Sequence, residues 1–240
     1  MIVSAENDAV TLESQRILAE YRRREKVIPQ DLYAPWQPAN LLMLAERRRL
    51  AIKMLHDAGV FPRPGDQCLE IGCGSLGWLG ELITWGVREM DLHGIELERT
   101  RVEQAQAVLP MAEILIGNAG DLPWTNLKFK LVIASTVFSS ILDQNVRHMV
   151  ADEITRVLAP GGALLWYDCA VNNPRNPNIR KVDRTELTQL FPKLQGPIKA
   201  VTLAPPLARF VAPRNWALAT LLGCLPLLRT HLLGVLIKTR

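Results

Sequence analysis

Short apolar runs alternate with amphipathic stretches along most of the chain, and this rhythm predicts its elements. Over 11–26 and 38–55, leucine and isoleucine recur at three- and four-residue spacing among arginine and glutamate, the pattern of two amphipathic helices. Between them Pro29, Pro35 and Pro38, with Tyr33 and Trp36, cannot continue a helix and form a connecting loop. After Pro62-Arg63-Pro64-Gly65-Asp66 the period changes. Strands are predicted at 67–71, 91–96, 112–117, 130–135 and 162–168, separated by helices at 76–85, 98–108 and 145–158. Such alternation predicts right-handed βαβ units around a parallel sheet, an α/β fold.

Pro160-Gly161-Gly162 reads as the stop between the third of these helices and its strand. Asp183 and Glu186 have capping-box spacing, so a short helix is expected over 184–190, followed by strands at 198–203 and 231–238. The connection between those last strands is rich in proline and leucine, with a helix expected over 216–222.

The strongest local signal is Leu69-Glu70-Ile71-Gly72-Cys73-Gly74-Ser75-Leu76-Gly77, a glycine-rich turn between a strand and a helix. Such a turn lets the backbone approach a nucleotide-like ligand. In a dinucleotide enzyme Glu70 would sit against the pyrophosphate. A cofactor presenting positive charge, such as the ammonium and sulfonium of S-adenosylmethionine, is instead favoured by a carboxylate. Glu96, at the end of the next strand, can accept both ribose hydroxyls of an adenosine. A nicotinamide-dependent oxidoreductase is therefore the disfavoured alternative.

With these motifs, the chain resembles the class I S-adenosylmethionine-dependent methyltransferases, in particular the large type 11-like small-molecule group. The resemblance rests on Glu70 to Gly74, Glu96, Gly117-Asn118-Ala119-Gly120-Asp121-Leu122-Pro123 and Arg156-Val157-Leu158-Ala159-Pro160-Gly161-Gly162. It implies a Rossmann-like seven-stranded sheet in the order 3-2-1-4-5-7-6, with the last strand antiparallel and helices on both faces. Residues 1–60 would be an amino-terminal helical extension, 61–240 the methyltransferase domain, and 204–229 an apolar cover between the last two strands. It also implies that Glu70, Gly72, Cys73 and Gly74 lie near the methionine portion, Glu96 on the ribose and Leu97 beside the adenine. Asn118 replaces the family's usual aspartate, and its amide oxygen can accept from the adenine amine, with Ala119 alongside. Wider similarity points to a bacterial group associated with cell-surface polysaccharide pathways.

In a parallel sheet the ligand site lies beyond the carboxyl ends of the strands. Ser135 and Thr136 meet that condition on the cofactor side. For the acceptor side Ser139, Asn172 and Asn173 meet it, and the amides of 172–178 suit a hydroxylated acceptor such as a sugar. Asp168 and His231 are the candidate catalytic bases, and Arg229 lies at the same rim if the last strand is antiparallel. Trp216 in the cover and Tyr33 in the proline-rich loop are expected to close over the acceptor. The expected reaction is methyl transfer to oxygen of a small molecule or glycan, in which proximity and orientation supply most of the catalysis. A non-catalytic S-adenosylmethionine-binding subunit is the alternative from another class.

Charge adds one further feature. The formal net charge is +4, and part of the excess sits in Arg22-Arg23-Arg24 and Arg47-Arg48-Arg49. These triplets read first as solvated helix faces, with an anionic membrane surface, a phosphate-bearing substrate or nucleic acid as other uses. No aromatic-interleaved basic stripe supports nucleic acid. Four cysteines without a C-x-x-C pair fit a reduced cytoplasmic protein and no metal site. The amino terminus carries acids where a signal peptide needs bases, and the apolar tract 216–228 is too short to span a bilayer. Peripheral contact with the inner membrane surface is compatible with that tract, as is a monomer or a homodimer.

Overall fold

The computed structural model describes residues 2–174 and 176–239, without the side chains of 2–8 and of Gln30. Arg175, within the amide-rich loop, lies outside the described residues. The strands are β1 (Cys68–Ile71), β2 (Leu92–Glu96), β3 (Glu113–Ile116), β4 (Phe129–Ser135), β5 (Leu158–Cys169), β6 (Leu194–Gln195), β7 (Ile198–Leu203) and β8 (Arg229–Lys238). They form one sheet in the order β3-β2-β1-β4-β5-β8-β6, with β7 also paired to β8. The first five strands are mutually parallel, and β8 runs antiparallel to β5, β6 and β7. The two-residue β6 and the longer β7 share one edge of β8, so the expected order holds with its outermost strand in two pieces.

The helices are α1 (Ile2–Val27), α2 (Pro38–Asp57), α3 (Leu79–Thr84), α4 (Arg99–Val108), α5 (Gln144–Val157), α6 (Arg184–Leu190), α7 (Pro205–Val211) and α8 (Trp216–Gly223). Asp143 caps α5 by accepting from the Asn145 and Val146 amides, and Asp183 caps α6 by accepting from that of Glu186. The other half of the expected capping box is absent: the Glu186 carboxylate turns to the fully buried Arg147 at 2.6 Å. The helix expected from residue 76 begins at Leu79, because Gly74 and Gly77 hold positive φ and keep the turn non-helical. Pro160-Gly161-Gly162 is an irregularity inside β5 rather than a stop; the β4 register shifts between Phe129 and Leu131 to accommodate it. The sequence pattern did not predict α7. Its two leading prolines occupy the first turn, where a helix needs no N–H.

Buried side chains lie on both faces of the sheet. One cluster joins α5 (Val146, Val150, Ile154) and α6 (Leu187, Leu190) to Trp166, Phe138 and Phe191. The other joins α2 (Ala51, Met54, Leu55), α3 (Leu79, Leu82) and α4 (Val102, Ala105). Ile17 of α1 belongs to the first cluster, so α1 and α2 straddle the sheet and the loop between them passes over its carboxyl end. Burying these apolar surfaces stabilises by roughly 25 cal/mol per Å² and fixes which side chains of α1 and α2 face the site.

Candidate functional site

Glu70 lies in the core under the glycine turn, 2% exposed. Its Oε2 accepts from the Trp78 and Leu79 amides at 2.7 and 3.0 Å, satisfying the first N–H groups of α3. Burial pushes its carboxyl up to about 8 despite those two bonds. A Cβ on Gly77, where φ is +49°, would meet Glu70 Oε1 at 2.4 Å and the Cys73 carbonyl at 2.6 Å. Only glycine fits there.

Beyond this turn a cavity of about 110 Å³ opens at the carboxyl ends of β1, β2 and β4. Its lining includes Gly72, Glu96, Leu97, Asn118, Ala119, Ser135 and Thr136, with Ser14, Ile17 and Tyr21 of α1 as its cover. The Glu96 carboxylate is anchored by the amides of Gly74 (3.0 Å), Leu97 (2.8 Å) and Glu98 (3.2 Å). Asn118 Oδ1 accepts from the Gly120 amide at 2.7 Å, and its Nδ2 donates to Ser14 Oγ. α1 is pinned over this cavity: Glu13 Oε1 accepts from the Leu142 amide at 2.5 Å, and Arg16 donates to the Ser140 carbonyl.

A larger cavity of about 690 Å³ lies beyond β4, β5 and β8, under the 28–37 loop and the start of α7. Tyr33, Ser139, Asn172, Asn173, Cys169 and His231 line it, with arginines from α1, α2 and α7. The His231 ring is stacked on Tyr167, with centroids 5.0 Å apart. Its Nε2 lies 3.2 Å from Cys169 Sγ and its Nδ1 3.0 Å from Thr230 Oγ1. Burial, reinforced by Arg47, pushes the imidazole down to about 4, so it is neutral at physiological pH. Burial also pushes the Cys169 and Tyr167 groups up to about 12, leaving both protonated.

The two cavities share Tyr21, Thr136 and Ser140 as walls. Thr136 holds φ at +57°, and Thr202 in the larger cavity at +66°. A β-branched residue in this region is strained, and such strain concentrates at ligand sites. The strain is held in place: the Thr136 amide donates to the Tyr167 carbonyl at 2.7 Å, and that of Thr202 to Glu46 Oε2 at 3.0 Å.

A sheet in this order, a glycine turn after β1 and an acid ending β2 define a nucleotide-type site, and comparison with known proteins decides its kind. Residues 68–162 match the family described as a methyltransferase domain. That stretch is similar to the class I S-adenosylmethionine-dependent methyltransferases. A probable S-adenosylmethionine-dependent methyltransferase of Mycolicibacterium smegmatis is 29% identical over 135 residues, covering 53% of this chain and 50% of that protein. The chain thus spans about half the length of that curated relative. Geranyl diphosphate C-methyltransferase of Streptomyces coelicolor A3(2), solved with S-adenosyl-L-homocysteine, shares the fold at a TM-score of 0.59 and 16% identity, over 80% of this chain and 79% of that one. The [4+2]-cyclase SpnF shares it at a TM-score of 0.57 and 15% identity, over 80% and 81%. The cofactor of the class I methyltransferases is S-adenosylmethionine.

The expected site residues separate into three groups. Gly72, Glu96, Leu97, Asn118, Ala119, Ser135 and Thr136 come together in the smaller cavity, and Tyr33, Ser139, Asn172, Asn173 and His231 in the larger one. Glu70, Cys73 and Gly74 lie behind the first, where Glu70 braces the turn and the Gly74 amide holds Glu96. Asp168, Arg229 and Trp216 line neither cavity. Asp168 is 1% exposed and accepts from the Ser139 and Cys169 amides, so it positions Ser139 from beneath the floor. Arg229 spends its guanidinium on the Gly223 and Ala200 carbonyls. Trp216 stands on α8, and it is α7 that brings Pro205, Pro206 and Arg209 to the cavity. Sequence reasoning missed Tyr21, Cys169 and Arg209. Cys169, one residue past Asp168 at the end of β5, was available to the same strand-end argument.

Proposed function

We propose that this protein transfers the methyl group of S-adenosylmethionine to oxygen of a small-molecule or glycan acceptor in cell-surface polysaccharide or secondary metabolism. The observation that carries this reading is that the two cavities adjoin, with Tyr21, Thr136 and Ser140 lining both, so that a donor in one and an acceptor in the other would be neighbours. Fit supports the cofactor. Glu96, with three amides already donating to it, keeps a lone pair for a ribose hydroxyl, Ile95, Leu97, Ala119 and Val146 give an apolar slot for a purine, and Asn118 retains acceptor capacity. When bound, S-adenosylmethionine supplies an activated methyl group.

The residues of the chain then bind, orient and exclude water. Ser139, Asn172 and Asn173 offer hydrogen bonds to an acceptor's hydroxyls, and alignment supplies most of the rate. His231, neutral and in the wall, is the group available to take a hydroxyl proton; its depressed pKa makes it a weak base. That weakness favours the second reading, a subunit that binds S-adenosylmethionine without turnover. The fold also serves the [4+2]-cyclase SpnF, so methyl transfer does not follow from fold alone.

We also propose peripheral contact with an anionic membrane. No helix among the described residues is long and apolar enough to cross a bilayer. Phe210, Leu221 and Leu227 are nevertheless exposed at 63%, 64% and 97%, and no Asp or Glu follows Glu186 in the sequence. Calorimetric titration with S-adenosylhomocysteine and NAD tests the cofactor. Transfer of labelled methyl from S-adenosylmethionine to a panel of hydroxylated acceptors tests the reaction. Binding without any turnover favours the non-catalytic reading, and binding of NAD alone overturns both.

A further inference from the structure

We infer that the larger cavity takes an acceptor bearing a phosphoryl group, held between Arg24 and Arg209 beside Tyr33. The inference rests on the reading of that cavity as the acceptor site. Arg24, Arg47 and Arg209 reach its wall from three separate helices, and no Asp or Glu among the described residues lines it. Elsewhere in the fold arginines are matched to carboxylates, as Arg16 is to Glu13, Arg147 to Glu186 and Arg156 to Glu153. These three are in no ion pair within 4.0 Å among the described residues. Arg24 donates to the Tyr33 hydroxyl at 3.3 Å, and Arg47 reaches Ser135 Oγ at 3.5 Å. The Nε atoms of Arg47 and Arg209 are buried without a hydrogen-bond partner.

Gathering three cations in one hollow is unfavourable unless an anion completes it. The guanidinium carbons of Arg24 and Arg209 each lie 5.6 Å from the Tyr33 ring centre, so two forks and one phenol converge on the outer part of the cavity. A phosphoryl group has enough oxygens to accept from both forks and from a hydroxyl at once, whereas a carboxylate has only two. Arg47 sits deeper, 4.5 Å from the Trp78 ring centre and 5.1 Å from that of Tyr167. There it maintains a positive field beside His231 and disfavours a cationic acceptor such as an amine. Met43, Leu44, Val171 and Ile179 leave the remaining wall apolar, suited to an aliphatic portion of the same molecule.

The test is a calorimetric titration of protein saturated with S-adenosylhomocysteine, using inorganic pyrophosphate in one arm and octyl phosphate in the other. The double variant Arg24→Gln/Arg209→Gln is expected to lose roughly tenfold or more in affinity for both probes. Its affinity for S-adenosylhomocysteine should not change, and Arg49→Gln, exposed on α2, should bind as the parent does. Tighter binding of octyl phosphate than of pyrophosphate identifies an amphiphilic acceptor, and the reverse a soluble one. No binding of either probe, or equal loss in Arg49→Gln, overturns the assignment. If S-adenosylhomocysteine itself does not bind, the methyl-transfer reading falls, and the same titrations of unloaded protein judge the anion site by the same criteria.

Discussion

His231 lies flat on Tyr167, 7° from parallel, with Nε2 3.2 Å from the Cys169 thiol. Burial, with Arg47 nearby, keeps this imidazole neutral in the wall of the larger cavity. Because its folded pKa of about 4 lies below the ordinary value of 6.5, its contribution to stability is complete above 6.5 and is lost as pH falls toward 4. His231→Asn should therefore lose less melting temperature than the parent between pH 7 and 4.5. If His231 takes the acceptor proton, the same variant lowers kcat roughly 10²-fold or more, and the acid limb of kcat/KM in the parent lies near 4, not 6.5. An unchanged kcat would assign the imidazole to packing.

Glu70 gives the opposite sign. Its carboxyl is pushed up from 4.5 to about 8, so the unfolded chain ionises first and the folded state is disfavoured progressively across that window. Glu70→Gln keeps an oxygen for the Trp78 and Leu79 amides while removing the buried charge. Its melting temperature relative to the parent should rise between pH 5 and 8.5. Glu70→Ala leaves both amides unpaired in the core and should cost about 1–3 kcal/mol for each at any pH, measured by denaturant unfolding.

Gly77→Ala should be severely destabilising, by about 2 kcal/mol or more, because the new Cβ meets Glu70 Oε1 at 2.4 Å at a positive φ. Combination with Glu70→Ala should cost less than the sum of the two, since the clashing carboxylate is gone. Additive losses would mean that φ and the Cys73 carbonyl, not the carboxylate, dominate.

Ser14, Ile17 and Tyr21 of α1 cover the smaller cavity, so the ease with which α1 lifts is expected to set how fast the cofactor enters. Arg16→Ala removes the tie to the Ser140 carbonyl. It should speed amide exchange across 12–24 without added ligand and raise the association rate of S-adenosylhomocysteine. An unchanged association rate would show that α1 does not gate entry.

Trp216 is 43% exposed on α8 and lines neither cavity. Trp216→Ala, together with Leu227→Glu, should leave acceptor turnover in free solution unchanged and reduce co-sedimentation with anionic phospholipid vesicles several-fold. Loss of turnover with retained vesicle binding would return Trp216 to the acceptor site.

Most of the smaller cavity's lining was legible in the sequence because its parts are local. A strand, a glycine turn and an acid ending the next strand are short-range patterns, and Gly72, Glu96, Asn118 and Thr136 all arrive in one cavity. The residues expected around the larger cavity were harder to assign. Asp168 ends β5 as expected, but its side chain alternates inward and is consumed by the Ser139 and Cys169 amides. Arg229 starts β8 as expected and turns to carbonyls instead of the cavity.

The sequence by itself determined the alternation of strands and helices, the parallel sheet and the glycine turn, since periodicity and backbone chemistry act over a few residues; the reversed last strand was implied by the family resemblance alone. Only the tertiary structure decided which member of each arginine triplet enters the cavity. Arg24 and Arg47 turn inward, while Arg23 pairs with Glu20 and Arg48 with Glu81. Which side of a helix faces a site depends on where its apolar stripe is buried, and Arg24, Arg47, Arg209 and Tyr33 meet only after both faces of the sheet are covered.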